Sequence, residues 1–209
     1  MKKQLHILSL CDLSGEMVRP WVEAGHYCLC VDIQAAKSSA PGYHLQADIL
    51  ACLGNMWDDY YTWPDIVFAA PPCTELAVSG ARWWARKGAR PCFDAMHLVY
   101  RCRDICVAST VPWALENPTG RLSTIWRKPN YSFDPCDYGD PYTKRTHLWT
   151  GRGFIMPEKH RVEPTQGSKM HLMPPSTNRA YLRSLTPAGF ARAVFEANEP
   201  ALLKRAPRI

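Results

Sequence analysis

Apolar residues in the first 118 positions fall into short unbroken runs separated by segments with helical spacing, an alternation that predicts a parallel sheet covered by helices. Residues 5–10 (LHILSL), 27–33 (YCLCVDI), 65–70 (DIVFAA) and 112–115 (PWAL) read as buried strands, and residues 43–47 as a shorter one. The four clear runs end in polar, small or turn-forming residues: Asp12-Leu-Ser-Gly15, Asp32, Pro71-Pro-Cys73 and Glu116-Asn-Pro118. Ligands of open α/β sheets bind beyond the carboxyl ends of the strands, so these four ends are expected to converge on one crevice.

Residues 16–24 read as a helix with Ser14 as its cap and Gly25 as its stop, and Pro20 is expected to kink its first turns. Residues 94–108 carry Met96, Val99, Tyr100, Arg103 and Cys106 near helical spacing and are closed by Val111-Pro112. Beyond Glu116 the pattern thins. Residues 146–150 and 153–156 are predicted to pair around Gly151-Arg-Gly153, and residues 161–179 show no period. A last helix is signalled by Thr186 as cap with Pro187 at its first position, running to about Asn198. The 18 prolines crowd residues 112–141 and 157–187, so the carboxyl-terminal half is expected to be loop-rich.

Composition narrows the class. A chain of 209 residues with 46% hydrophobic and 21% charged residues has enough apolar surface for one sizeable core and lacks the signature of disorder. The first apolar run breaks after Leu10, too early for a secretion signal, and no run approaches the roughly 18 apolar residues of a membrane span. A soluble protein is expected. Nine cysteines, an odd number lying mostly in apolar runs, point to a reducing cytoplasm rather than a disulfide framework. Cys92, His97, Cys102 and Cys106 match no zinc spacing, and no metal is expected. The balance of 25 Lys+Arg over 19 Asp+Glu, a net +6, suits a polyanionic partner.

Two strand-end constellations carry candidate chemistry. The turn Leu10-Cys-Asp-Leu-Ser-Gly15 followed by Asp32 at the end of the next strand is an arrangement for holding a nucleoside cofactor, with the turn close to the ligand and the carboxylate on the ribose hydroxyls. Cys73, presented by two prolines at the end of a buried strand, stands where a nucleophile is wanted. After it, Arg82-Trp-Trp-Ala-Arg-Lys87 interleaves cations with large rings, as a loop gripping phosphates and stacking near a base would.

Pro72-Cys73 with Glu116-Asn117 at the next strand end resembles the nucleophile and Glu-Asn pair of the DNA cytosine-5 methyltransferases. Leu10–Gly15, Val31-Asp32-Ile33 and Asp48-Ile49 are similar to the cofactor-binding start of that family, and Lys144-Arg145-Thr146 lies where it carries a basic motif. The resemblance covers residues 4–118 well and the rest in patches, and it looks most like the short enzymes of bacteriophages and prophages. It implies a Rossmann-like, S-adenosylmethionine-dependent methyltransferase sheet with helices on both faces and a loop-rich carboxyl-terminal portion. Residues 1–150 would be the catalytic core, 151–182 a reduced target-recognition region and 183–209 a helix completing the core.

The resemblance implies roles as well. Cys73 would attack cytosine C6, Glu116 would hold the proton at N3, Asn117 would orient the loop, and Arg145 would stabilise O2 and hold Glu116. S-adenosylmethionine would sit against Leu10, Asp12, Ser14, Gly15, Asp32, Ile33, Asp48, Ile49 and Pro71. DNA would meet Ser79, Arg82, Arg86 and Lys87, inside a bacterial host cell if the protein is phage-encoded. The family normally inserts a large recognition domain after its basic motif; here only about thirty residues separate Arg152 from Arg183, so specificity is expected to be short, relaxed or supplied by another chain. The need to take the target base out of its stack implies a base-flipping pocket or a single-stranded substrate. A second reading takes Ala70-Pro-Pro-Cys73 as a degenerate motif of amino-methyltransferases. An RNA-directed enzyme and a non-catalytic nucleic-acid-binding relative are the further alternatives.

Overall fold

A computed structural model describes residues 3–37, 39–51 and 63–205, except the side chain of His171. The apolar runs form β1 (His6–Leu10), β2 (Tyr27–Asp32), β3 (Tyr43–Gln46), β4 (Ile66–Ala69) and β5 (Trp113–Pro118), all parallel. Two more strands, β6 (Tyr131–Phe133) and β7 (Thr146–Gly151), complete one sheet in the order β3-β2-β1-β4-β5-β7-β6. β7 enters antiparallel to β5, and β6 antiparallel to β7. The helices are α1 (Arg19–Glu23), α2 (Trp84–Lys87), α3 (Arg90–Ala108), α4 (Leu122–Ile125), α5 (Lys169–Leu172), α6 (Arg179–Ser184) and α7 (Ala188–Leu203). Short 3-10 turns cover Val78–Trp83 and Pro135–Tyr138. This is the expected Rossmann-like α/β architecture. Among the described residues no helix is long and apolar enough to cross a membrane.

The pleat distributes the strand side chains between two cores. Ile7, Cys28, Cys30, Ile66, Phe68 and Ala114 face α1 and α7, meeting Trp21, Phe190, Val194 and Leu202. Leu8, Leu10, Val31, Val67, Trp113 and Leu115 face the other way, against Met96, Val99, Cys102 and Cys106 of α3. Trp21 anchors the first core: it is fully buried, edge-on to Phe195 with ring centroids 5.1 Å apart. Trp21→Ala is expected to lower unfolding free energy by about 3–5 kcal/mol, the usual loss when a large buried ring leaves a cavity. A urea titration measures it; a loss under about 1 kcal/mol would show that this core does not depend on the ring.

Several boundaries depart from expectation for identifiable reasons. α1 starts at Arg19, and Ser14 does not cap it: its Oγ donates to Asp12 (3.1 Å) and accepts from the Glu16 N–H (3.2 Å). Pro20 sits in the first turn of α1, where no helical hydrogen bond is lost, so no kink arises. Gly25 does stop the helix, at φ +85°. α3 starts at Arg90 with Pro91 in its first turn. Residues 153–156 form no strand, because β5 and β6 already occupy both edges of β7. Pro187 itself is the residue before α7, and the helix runs past Asn198 and Pro200 to Leu203. Tertiary packing carries it there: Leu202 is buried, and the Asn198 amide donates to the Ile155 carbonyl (2.8 Å) and accepts from its N–H (2.9 Å). The loop after β6 is organised by buried Asp137, which pairs with Lys159 and Arg161.

Candidate active site

The β1–α1 turn is built around one carboxylate. Asp12 is buried; its Oδ1 accepts from the Gly15 N–H (2.7 Å) and Ser14 Oγ (3.1 Å), and its Oδ2 from Ser9 Oγ (2.8 Å). Cys11, at φ +55°, donates its N–H to the Val31 carbonyl (2.8 Å) and joins the turn to β2. Gly15, at φ +69°, lies where a Cβ would stand 2.6 Å from the Pro41 carbonyl oxygen, so no other residue fits. Asp12, Ser14 and Gly15 thus shape the turn.

Asp32 closes β2 half-buried, its Oδ1 accepting from the Gln34 N–H (2.9 Å); burial raises its pKa above the ordinary carboxylate value, and the backbone N–H bonds oppose that shift. Beside it Ile33 is 63% exposed, an apolar surface no packing explains. Asp48 is exposed and accepts from the Leu50 N–H (2.9 Å). Leu10 and Ile49 are buried in the core, so they can offer a ligand only their backbone. A carboxylate next to an exposed aliphatic side chain fits a nucleoside, with the hydroxyls on Asp32 and a ring over Ile33.

The β4 and β5 ends are bolted together. Asn117 Nδ2 donates to the Pro71 carbonyl (2.9 Å), while its Oδ1 is buried without a partner. The Cys73 carbonyl accepts from the Leu76 (2.9 Å) and Ala77 (2.8 Å) N–H groups, curling the chain back after the cysteine. The loop after β5 locks onto that curl: Arg121 N–H donates to the Leu76 carbonyl and Val78 N–H to the Thr119 carbonyl, both at 2.8 Å. At Gly120 the two backbones nearly touch, and a Cβ there would fall 1.9 Å from the Leu76 oxygen. Gly120→Ala is expected to cost about 1–3 kcal/mol, because backbone must move to admit the methyl, and to impair activity beyond that loss. Unfolding in urea beside assays at saturating substrate checks both; an alanine variant of wild-type stability would refute the close contact.

Strand parity decides which charges meet. Glu116 opposes Leu148 across β5 and β7, and Leu148 faces the α1/α7 core. Counting back by twos from Leu148 brings Thr146 and Lys144 to the side of Glu116, and leaves Arg145 and His147 on the other. Glu116 and Lys144 accordingly line one cavity with Ser9, Asp12, Phe68 and Phe190. Lys144 Nζ donates to the carbonyls of Arg183 (2.9 Å) and Leu185 (3.4 Å). Arg145 instead is exposed and pairs with Asp134 (3.2 Å). The expectation that Arg145 holds Glu116 is therefore corrected in favour of its neighbour.

Burial pushes the Glu116 carboxyl up from the ordinary carboxylate value, opposed by the charge of Lys144. Burial also raises the Cys73 thiol, and the Glu116 charge raises it further, while Lys144 and Arg183 pull it down. These effects are mutually consistent for one protonation state: a proton on Glu116 removes the carboxylate charge that opposes a thiolate at Cys73. Both groups are thus shifted toward their protonated forms, and the charge state of Glu116 bears directly on how far the Cys73 thiol is held up.

The segment after Cys73 is cationic and aromatic. Ser79, Arg82 and Arg86 are exposed; the Arg82 and Arg86 guanidiniums lie 4.9 and 5.7 Å from the Trp83 ring centre, and Trp83 is 43% exposed rather than core. Lys87 pairs with Glu75 (2.6 Å).

No protein-family model matches the sequence, and no curated protein does. Among solved structures, the chain is similar to magnesium protoporphyrin IX methyltransferase (ChlM) from Synechocystis PCC 6803 with bound S-adenosylmethionine, at 10% identity over 56% of this chain and 51% of that one, TM-score 0.32. It is also similar to the glycopeptide N-methyltransferase MtfA, at 11% identity over 63% and 53% of the two chains, TM-score 0.32. A third, WbdD crystallised with the kinase inhibitor LY294002, gives 12% identity over 70% and 36%, TM-score 0.37. The chain spans about half the length of the first two and about a third of WbdD. Identities and scores this low assign neither activity nor substrate.

Sequence reasoning missed Arg183, whose charge reaches Cys73 from the carboxyl-terminal segment, and Arg121, whose guanidinium lies 3.6 Å from the Trp84 ring centre. Arg183 lies far from any motif, Arg121 follows Glu116-Asn117-Pro118 with no local signal to mark it, and the choice of Lys144 over Arg145 depends on the Glu116–Leu148 pairing, which only the structure supplies.

Proposed function

We propose that this protein is an S-adenosylmethionine-dependent DNA cytosine-5 methyltransferase in which Cys73 attacks a cytosine taken out of its stack. The observation that carries this reading is the placement of the residues: Cys73 follows β4, Glu116 and Asn117 lie on the adjacent β5, the Asn117 amide donates to the Pro71 carbonyl (2.9 Å), and Glu116 shares a cavity with Lys144. Asp32 and Ile33 would hold the nucleoside part of the cofactor, which when bound supplies an electrophilic methyl group. Ser79, Arg82 and Arg86 are the proposed phosphate contacts.

The residues divide the work as follows. The Cys73 thiolate forms a bond to C6, the C5–C6 double-bond electrons shift to C4–C5, the C4–N3 double-bond pair moves onto N3, and N3 takes the Glu116 proton. C5, now nucleophilic, would bond the methyl carbon as the methyl–sulfur bond of the sulfonium breaks, the sulfur keeping the electron pair as a neutral thioether, while the N3 pair re-forms the C4–N3 double bond. Loss of the C5 proton to water then expels the Cys73 sulfur with its electron pair, and Glu116 recovers its proton from N3. Asn117, bonded to the Pro71 carbonyl, keeps the two strand ends in register throughout. The target atom lies inside the stack of a duplex, so the base must be flipped or already single-stranded.

DNA containing 5-fluorocytosine tests this, because fluorine at C5 cannot leave as a proton and the sulfur stays attached. Incubation with S-adenosylmethionine should yield a denaturation-resistant adduct mapping to Cys73, and DNA from expressing cells should contain 5-methylcytosine. Absence of both would overturn the proposal.

A further inference from the structure

We propose that the open groove between α2, the first half of α3 and residues 121–125 seats a single-stranded stretch of nucleic acid flanking the target base. This inference rests on the reading of Cys73 as acting on a nucleic-acid base, and it assigns where the neighbouring nucleotides lie and in what form. The groove encloses about 880 Å³, within the size range of ligand sites. Trp84, Phe93, Tyr100, Arg121 and Ile125 form its walls, with Met96 buried at its floor. Phe93 is 70% exposed on α3, a large ring that the fold leaves uncovered.

Charge identifies the occupant. Arg121 lines the groove itself, and the two lining segments with their immediate flanks, residues 78–100 and 119–130, carry Arg82, Arg86, Lys87, Arg90, Arg121, Arg127 and Lys128 against one acid, Asp94. Asp94 pairs with Arg90 (2.8 Å) and Lys87 with Glu75, which leaves the remaining arginines to set the field. They are applied to rings: Arg121 covers Trp84, Arg82 and Arg86 flank Trp83, and Arg127 lies 5.0 Å from the Trp126 ring centre. A cation set against an aromatic wall, as Arg121 is against Trp84, with further arginines on the flanking segments, fits a ligand with anionic links and flat apolar faces, which describes an unstacked nucleic-acid strand. A duplex buries its base faces in its own stack and would offer this groove phosphates alone. The groove also adjoins the reacting centre, since the Leu76–Arg121 hydrogen bond that ties the loop after Cys73 to the loop after β5 ends on a groove residue.

The test uses the full chain and a fluorescent oligothymidylate of about twelve nucleotides, which holds no cytosine and matches the span of known single-strand sites. It should bind about 10-fold or more tighter than a duplex of equal length. Phe93→Ala, a change on an exposed face that should not alter the melting temperature, should weaken binding about 10-fold. Arg121→Gln should reduce the slope of log affinity against log salt by about 0.7, one phosphate contact of a single strand. Polyglutamate should fail to compete. Equal affinity for duplex, no effect of Phe93→Ala, or competition by polyglutamate equal to that of the oligonucleotide would each overturn the groove.

Methyl transfer to a cytosine-containing strand, measured in parallel, separates the two claims. Intact transfer with oligothymidylate binding indifferent to Phe93→Ala rejects the groove and spares the Cys73 reading. Groove-dependent binding with neither methylation nor adduct rejects the Cys73 reading and spares the groove.

Discussion

Cys73→Ser is expected to abolish methyl transfer, lowering turnover on the order of 10⁴-fold or more, as removal of a covalent nucleophile does. The reason lies in the site itself. Burial already pushes the Cys73 thiol up, and a hydroxyl starts from a far higher pKa, so its anion is out of reach in the same surroundings. The hydroxyl replaces the sulfur with little change of shape, and the variant should stay within about 0.5 kcal/mol of wild-type stability. Cofactor binding, which the proposal assigns to Asp32 and Ile33, should be unchanged. Trapping on 5-fluorocytosine DNA should vanish together with 5-methylcytosine formation. Retained transfer without an adduct would instead mark reaction at an exocyclic amine, which needs no covalent bond to the enzyme.

Glu116→Gln is expected to move two measurements in opposite directions. Methyl transfer should fall about 10²–10⁴-fold, because the amide cannot deliver a proton to N3. Alkylation of Cys73 by iodoacetamide should become faster at neutral pH, because the substitution removes the carboxylate charge that holds the thiol up. The sign follows from the causes: burial remains, the second contribution disappears, and the cationic influence of Lys144 and Arg183 is opposed by burial alone. The alkylation profile should therefore shift to lower pH while catalysis declines. A glutamate serving only to hold the strand ends would lower transfer without shifting that profile, and this outcome would remove Glu116 from the chemistry.

The parallel sheet was legible because β1, β2, β4 and β5 are buried on both faces, so their runs are apolar almost throughout and need no partner to be recognised. β6 was not: it is three residues between Asn130 and Asp134, and only its pairing with β7 makes it a strand. The Gly151-Arg-Gly153 turn is real, with Arg152 and Gly153 both at positive φ, yet a turn signal does not say whether an edge remains free to receive the returning chain. Cys73, Glu116 and Asn117 were readable since strand-end position and residue type coincide. The cations around them were not. Arg183 and Lys144 are brought together by the return of the carboxyl-terminal chain across the sheet, a contact between residues 39 positions apart that no local spacing encodes. Asp137 with Lys159 and Arg161 is a similar case: ion pairs spanning 22 and 24 residues organise a segment that has no periodicity.

The lysine anchored on the Arg183 and Leu185 carbonyls also bears on the order in which the protein comes into being. A ribosome delivers Cys73 and Glu116 early, on strands that can begin to pair while synthesis continues. The two carbonyls arrive more than sixty residues after Glu116, just ahead of the helix whose Phe190 and Val194 close the first core. Until that helix docks, Lys144 has nothing to fix it beside the carboxyl. The nascent chain thus holds the Cys73 thiol without the electrostatic setting assigned to catalysis, and acquires that setting only when this helix has been made and has docked.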